Sequence, residues 1–272
     1  MASRQRPGPE FSALRLTRTI TRIKDRLDVL MYLVEGDDRA ALIDTGFGVG
    51  DLGRFVKGIT DKPVTVLLTH GHLDHAFGAA WFDDVRMNPL EVPVIQAHRP
   101  LSAAVIEEAR GEGRVTADAP DSTMFGPLTG GDVLDLGRLT VRVVDAPGHT
   151  PGSLAFLIAE ERVLVTGDAA NQFTFMFHDE AAGIAQYRES LGRLRADTQG
   201  LYDRILISHG TGDAPFFLLD ELDVLCARIL AREDDAVRFE FMGRCGLIAR
   251  KAGGTEQVDD NANIVYNPQT LE

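Results

Sequence analysis

Thr69-His70-Gly71-His72-Leu73-Asp74-His75 follows directly on the apolar run Val64-Thr65-Val66-Leu67-Leu68. The run reads as a buried strand, and Gly71 between two histidines marks the turn that leaves it. Three imidazoles and a carboxylate in six positions form a metal-ligand cluster, because neutral imidazole nitrogen and carboxylate oxygen are donors that first-row divalent ions accept. The downstream chain repeats the arrangement. His149 lies in Asp145-Ala146-Pro147-Gly148-His149-Thr150-Pro151-Gly152, Asp168 ends Val163-Leu164-Val165-Thr166-Gly167-Asp168, and His209 ends Ile205-Leu206-Ile207-Ser208-His209. Each follows an apolar run and is flanked by Gly or Pro, so each belongs on a loop leaving a strand.

Working outward, strand-like runs recur at 29–34, 39–43, 64–68, 139–144, 154–158, 162–165 and 204–207. Helical patterns fall between them at 50–58, 76–82, 101–110 and 184–195, and Pro215 opens a longer one to Ala231. Two successive sets of alternating strands and helices favour an α/β sandwich of two sheets with helices on both outer faces. Residues 1–10 read as disordered and 11–272 as a single domain, the ordered chain starting near Leu14. A loop or lid insertion is expected near 86–131, where five prolines fall. A helical and strand extension is expected over 213–272, with Ala262 to Tyr266 as a last edge strand.

The chain has 272 residues, a formal charge of −13 and a pI near 5.0. That charge opposes roles that depend on neutralising nucleic-acid phosphates or docking on anionic lipid, which leaves a small-molecule substrate as the expected partner. Cys226 and Cys245 are too few for a disulfide framework and fit a reducing compartment. With no secretory h-region and no bilayer-length apolar run, a cytoplasmic protein is expected. The apolar face of Phe216, Phe217, Leu218, Leu219, Leu222 and Leu225 suits either its own domain or a homodimer contact.

On these residues the chain resembles the metallo-β-lactamase superfamily: His70-x-His72-x-Asp74-His75, then His149, Asp168 and His209, follow its ligand order, and Asp44 in Ile43-Asp44-Thr45-Gly46 matches its first motif. The resemblance implies a four-layer αββα sandwich with the site along one edge of the sheets. It implies that His70, His72 and His149 bind one metal, that Asp74, His75 and His209 bind a second, and that Asp168 bridges the two. Asp74 and Asp168 are then the catalytic carboxylates, and a solvent-derived hydroxide between the ions is the nucleophile. Zinc is the first expectation for the two divalent ions, with iron or manganese also compatible. Asp44 is implied to orient a ligand imidazole from behind.

Such a site admits lactones, esters, thioesters, β-lactams and phosphodiesters. β-Lactamases of the superfamily generally lack an acid at the Asp168 position, its nucleases bring an added arm or domain not visible here, and the basic residues are scattered. Thioester hydrolysis of the glyoxalase II kind matches the ligand set, but the segment 215–235 holds only Arg228 and Arg232 among many acids, so glutathione recognition is not supported. Related acyl-homoserine lactonases carry a Tyr where this chain has Asn171. Asn171, Phe173, Phe175 and His178 are candidate walls of the substrate pocket, core packing being equally compatible for the phenylalanines, while His98 and His178 belong to no motif. The expectation is a binuclear hydrolase of an ester, lactone or thioester. The alternative is a mononuclear iron enzyme like the superfamily's persulfide dioxygenases, ahead of a nuclease, a β-lactamase or an inactive metal-binding homologue.

Overall fold

The computed structural model describes residues 9–241, 243–250 and 262–272. Its first sheet runs in chain order through β1 (Phe11–Arg15), β2 (Ile20–Asp25), β3 (Leu30–Glu35), β4 (Ala40–Ile43), β5 (Val64–Leu67), β6 (Val85–Met87) and β7 (Gly126–Pro127). The second contains β8 (Val133–Asp135), β9 (Thr140–Asp145), β10 (Leu154–Ile158) and β11 (Val163–Gly167). After β12 (Phe173–Met176) leaves for a third sheet, β13 (Arg204–Ile207) and β14 (Asp213–Ala214) complete the second. The third sheet adds β15 (Val237–Phe241), β16 (Arg244–Ile248) and β17 (Asn263–Tyr266) in the order β12-β17-β16-β15. The helices are α1 (Leu52–Lys57), α2 (Leu73–Ala76), α3 (Val92–Gly111), α4 (Ile184–Thr198) and α5 (Leu218–Ala231). None of the described helices is long and apolar enough to cross a membrane.

Alternation along β3 shows how the layers form. Leu30, Tyr32 and Val34 turn inward and meet Phe156, Val165 and Leu206 of the second sheet. Met31 and Leu33 turn outward and meet Leu52 and Val56 of α1 and Ile95 of α3. On the far side, Leu157, Leu164 and Ile205 pack on Tyr187 and Leu191 of α4 and on Leu222 and Leu225 of α5. The order is helix, sheet, sheet, helix, the expected αββα sandwich. Central strands covered on both faces need unbroken apolar runs, which is why those strands were readable.

Three expectations need correction. The segment 86–131 is not one loop insertion: α3 fills Val92–Gly111, with Pro93 in its first turn and Pro100 inside it, and the largely irregular chain shrinks to 112–125. Ala262–Tyr266 is not an edge, because β17 lies between β12 and β16. Order begins before Leu14, since β1 starts at Phe11 and Glu10 pairs with Arg114 at 2.5 Å; residues 1–8 of the expected disordered segment lie outside the described residues. Of the two alternatives for the apolar face at 216–225, Leu218, Leu219, Leu222 and Leu225 take the first and pack on their own domain, leaving Phe216 and Phe217 exposed.

Candidate metal centre

The loops leaving β5, β9, β11 and β13 deliver their polar side chains to one place. His70, His72 and His149 bring one nitrogen each within 4.8 Å of one another, as do the donor atoms of Asp74, His75 and His209, and those of His70, His75 and Asp168. His72 caps α2, so Asp74 and His75 fall on its first turn. Asp168 Oδ2 lies 3.1 Å from His209 Nε2, 3.5 Å from His75 Nε2 and 3.9 Å from His149 Nε2, between the two sets. Asp74 Oδ2 is 3.4 Å from both His75 Nε2 and His209 Nε2.

Hydrogen bonds behind the rings set which nitrogen faces the centre. His75 Nδ1 donates to Asp44 Oδ2 at 2.9 Å, and His149 Nδ1 donates to the Phe175 carbonyl at 2.7 Å. Thr69 Oγ1 donates to Asp44 and accepts from His70 Nδ1 at 2.9 Å, while His72 Nε2 donates to Glu180 Oε1 at 2.8 Å. The opposite nitrogens are left with lone pairs turned inward, His72 Nδ1 and His149 Nε2 only 3.0 Å apart. His70 Nε2 and His75 Nε2 are buried without any hydrogen-bond partner. Two stranded buried nitrogens would each cost about 1–3 kcal/mol, a cost that a cation between them and the carboxylates removes, so these residues fit divalent ions.

Electrostatics agree. Burial, then the neighbouring His72, pushes His149 down to about 3; burial and the imidazoles of His75, His72 and His149 hold His70 well below the ordinary histidine range. Both rings are therefore neutral and available as ligands. His75 moves the opposite way: burial resists, but the charges of Asp74, Asp168 and Asp44 raise it well above the ordinary value.

Asp44 follows β4 with φ at +63°, a conformation unusual for a residue with a side chain. Its carboxylate takes the Thr69 amide at 2.8 Å as well as the Thr69 hydroxyl and His75, so it braces two ligand rings at once. Sequence reading missed an equivalent brace between loops. Glu91 is completely buried and accepts the Gly71 amide on Oε2 and the Gly152 amide on Oε1, each at 2.6 Å. The two glycines permit this approach: a Cβ at Gly152 would stand 2.9 Å from Glu91 Oε1, and one at Gly71 would stand 2.9 Å from the Glu91 carbonyl oxygen. Glu91 thus ties the His70–His72 loop to the His149 loop.

Of the candidate pocket residues, Asn171 is buried, with Nδ2 3.4 Å from Asp168 Oδ1, so it steadies that carboxylate. Phe173 and Phe175 lie half-buried on β12, and the His178 ring stands 5.5 Å from His72 and 5.9 Å from His149. His98, in no sequence motif, stacks on His72 at 4.4 Å. Glu180 was also missed. Burial resists, but bonds from His72 and His98 hold its carboxyl below the usual carboxylate range. No local signal marks Glu91 or Glu180, because Glu91 reaches Gly71 across 20 residues and Gly152 across 61, and Glu180 reaches His72 across 108.

The family model described as the metallo-beta-lactamase superfamily matches residues 25–209. Among curated relatives, an acyl-coenzyme A thioesterase, MBLAC2 of Gallus gallus, is 24% identical over 66% of this chain and 71% of its own. The hydroxyacylglutathione hydrolase GloC of Haemophilus influenzae is 30% identical over 65% of this chain and 82% of its own. Among solved structures, a metallo-beta-lactamase from Pontibacter korlensis superposes with a TM-score of 0.57 at 17% identity, covering 80% of this chain and 99% of that one.

Proposed function

Given that the chain belongs to the metallo-beta-lactamase superfamily, we propose that it is a binuclear metal-dependent hydrolase of small molecules, acting on an ester, lactone or thioester and best suited to an acyl thioester. The observation that carries this is the position of Asp168, within 4 Å of nitrogens from both histidine sets, with a complete donor set on either side. His70, His72 and His149 would hold one ion, Asp74, His75 and His209 the other, with Asp168 shared. Ions held there would acidify a water molecule and polarise the scissile carbonyl.

The chain's own residues do the positioning. Asp44, Thr69, Glu180 and the Phe175 carbonyl fix the tautomers of four imidazoles, and Glu91 fixes the spacing of the two loops that carry three of them. An acyl thioester is favoured because relatives are named as acyl-coenzyme A thioesterase and hydroxyacylglutathione hydrolase, and a glutathione thioester is disfavoured because Arg228 is occupied by the Glu233 carbonyl. A panel of acyl thioesters, p-nitrophenyl esters, lactones, nitrocefin and bis-p-nitrophenyl phosphate tests the reading. The expected result is thioester or ester turnover abolished by a chelator and restored by zinc. Oxygen uptake with a persulfide, at one iron per chain and with no hydrolysis, overturns it.

A further inference from the structure

Five phenylalanines come together beside the metal centre from two strands that are not hydrogen-bonded neighbours. Phe173, Phe175 and Phe177 alternate from β12 on one face, and Phe239 and Phe241 alternate on β15, at the opposite edge of the same sheet. Phe239 lies 5.9 Å from Phe173 and 6.0 Å from both Phe175 and Phe177; Phe241 lies 5.6 Å from Phe175. Gly246, the cross-strand partner of Phe239, makes the span possible, since a Cβ there would stand 3.3 Å from Phe177 Cβ. The other face of β12 and β17, with Met176, Ile264 and Tyr266, belongs to the core under α4 and α5, so the aromatic face is left over from folding. Phe177 is buried at its base, while Phe173, Phe175 and Phe239 are half-buried and Phe241 is 45% exposed, so the outer part of the face is open to solvent.

This face is continuous with the ligands. Phe175 gives its carbonyl to His149, and the His178 ring lies 4.8 Å from Phe177 and 5.5 Å from His72. We propose that these rings form the wall that receives the apolar alkyl or aryl part of the substrate's acyl group, running outward from the metal centre to the tip of the β15 strand. The inference rests on the hydrolase reading for the identity of the substrate. Phe239 and Phe241 lie beyond residues 25–209, the part matched by the family model.

Two experiments separate the inference from its premise. Isothermal titration with S-decyl and S-ethyl N-acetylcysteamine, neither of which can be hydrolysed, reads the wall alone. A gain of about fourfold per methylene buried is expected, and it shrinks at least tenfold in total for decyl in the double variant Phe239→Ala, Phe241→Ala, with Phe241→Leu retaining most of it. Equal affinity for the two probes in the wild type overturns the wall. So does a wild-type dimer that the double variant converts to monomer in sedimentation velocity while decyl affinity is unchanged, because the face then joins two copies. Hydrolysis of decanoyl and acetyl N-acetylcysteamine thioesters reads the premise: failure to cleave either, with decyl still preferred in titration, rejects the acyl-thioester reading and leaves the wall standing.

Discussion

Replacing Glu91 by Gln changes one oxygen into an amino group in a fully buried position. The carboxylate serves two donors with two different oxygens, Gly71 N on Oε2 and Gly152 N on Oε1, both at 2.6 Å. A carboxamide has one acceptor oxygen, so one glycine amide loses its partner and faces an NH2 group instead. A hydrogen bond to a charged acceptor contributes about 1.5–3 kcal/mol, and a buried donor left unpaired costs about 1–3 kcal/mol. Because the two figures partly count the same loss, the expected cost is about 3 kcal/mol, which corresponds to roughly a hundredfold in an equilibrium constant. The loss is shared between folding and metal binding, since the bonds hold His70 and His72 in register with His149. Urea denaturation of metal-stripped protein and zinc competition against a fluorescent chelator measure the two parts. If Glu91→Gln stays within about 0.5 kcal/mol of wild type in stability and binds zinc equally well, the clasp has no role and the reasoning is refuted.

Three further outcomes are expected. Asp168→Ala should lower hydrolysis at least about a hundredfold and reduce bound metal from two ions per chain, as elemental analysis would show; near-normal turnover with both ions retained contradicts the assigned bridge. Glu180→Ala should weaken zinc binding by about 10–100-fold, with Glu180→Gln recovering part of it because a carbonyl can still accept from His72 Nε2; unchanged competition curves remove Glu180 from the site. Burial raises the Asp25 carboxyl to about 6, against the pull of amides from Val29 and Leu27. The folded chain therefore holds a proton that the unfolded chain has released between about pH 4 and pH 6, so stability falls as pH rises through that window, by up to about 3 kcal/mol. Asp25→Asn should flatten the pH dependence of the urea midpoint in metal-stripped protein, and parallel profiles for the two proteins would show that Asp25 is not its source.

The chain order of ligands was legible because β5, β11 and β13 are buried on both faces and carry apolar runs bounded by Gly, while His149 follows the alternating β9 in a Pro-Gly context. Asp44 was legible for the same reason. What supports the site was not: Glu91 and Glu180 carry no periodicity and act only through partners brought near by folding. The second half of α3 read as a helix at 101–110, but Pro93 and Pro100 hid its first half, although a proline in a first turn costs a helix little. β15 alternates Phe with Arg and Glu, and β16 opens on Arg-Cys-Gly, so they lacked the apolar signal of the central strands.

Anomalous diffraction from a zinc-loaded crystal tests the central claim most directly. Two peaks are expected, one enclosed by His70, His72 and His149 and the other by Asp74, His75 and His209, with Asp168 touching both. A single peak, with the second set of side chains turned away from it, would contradict the account.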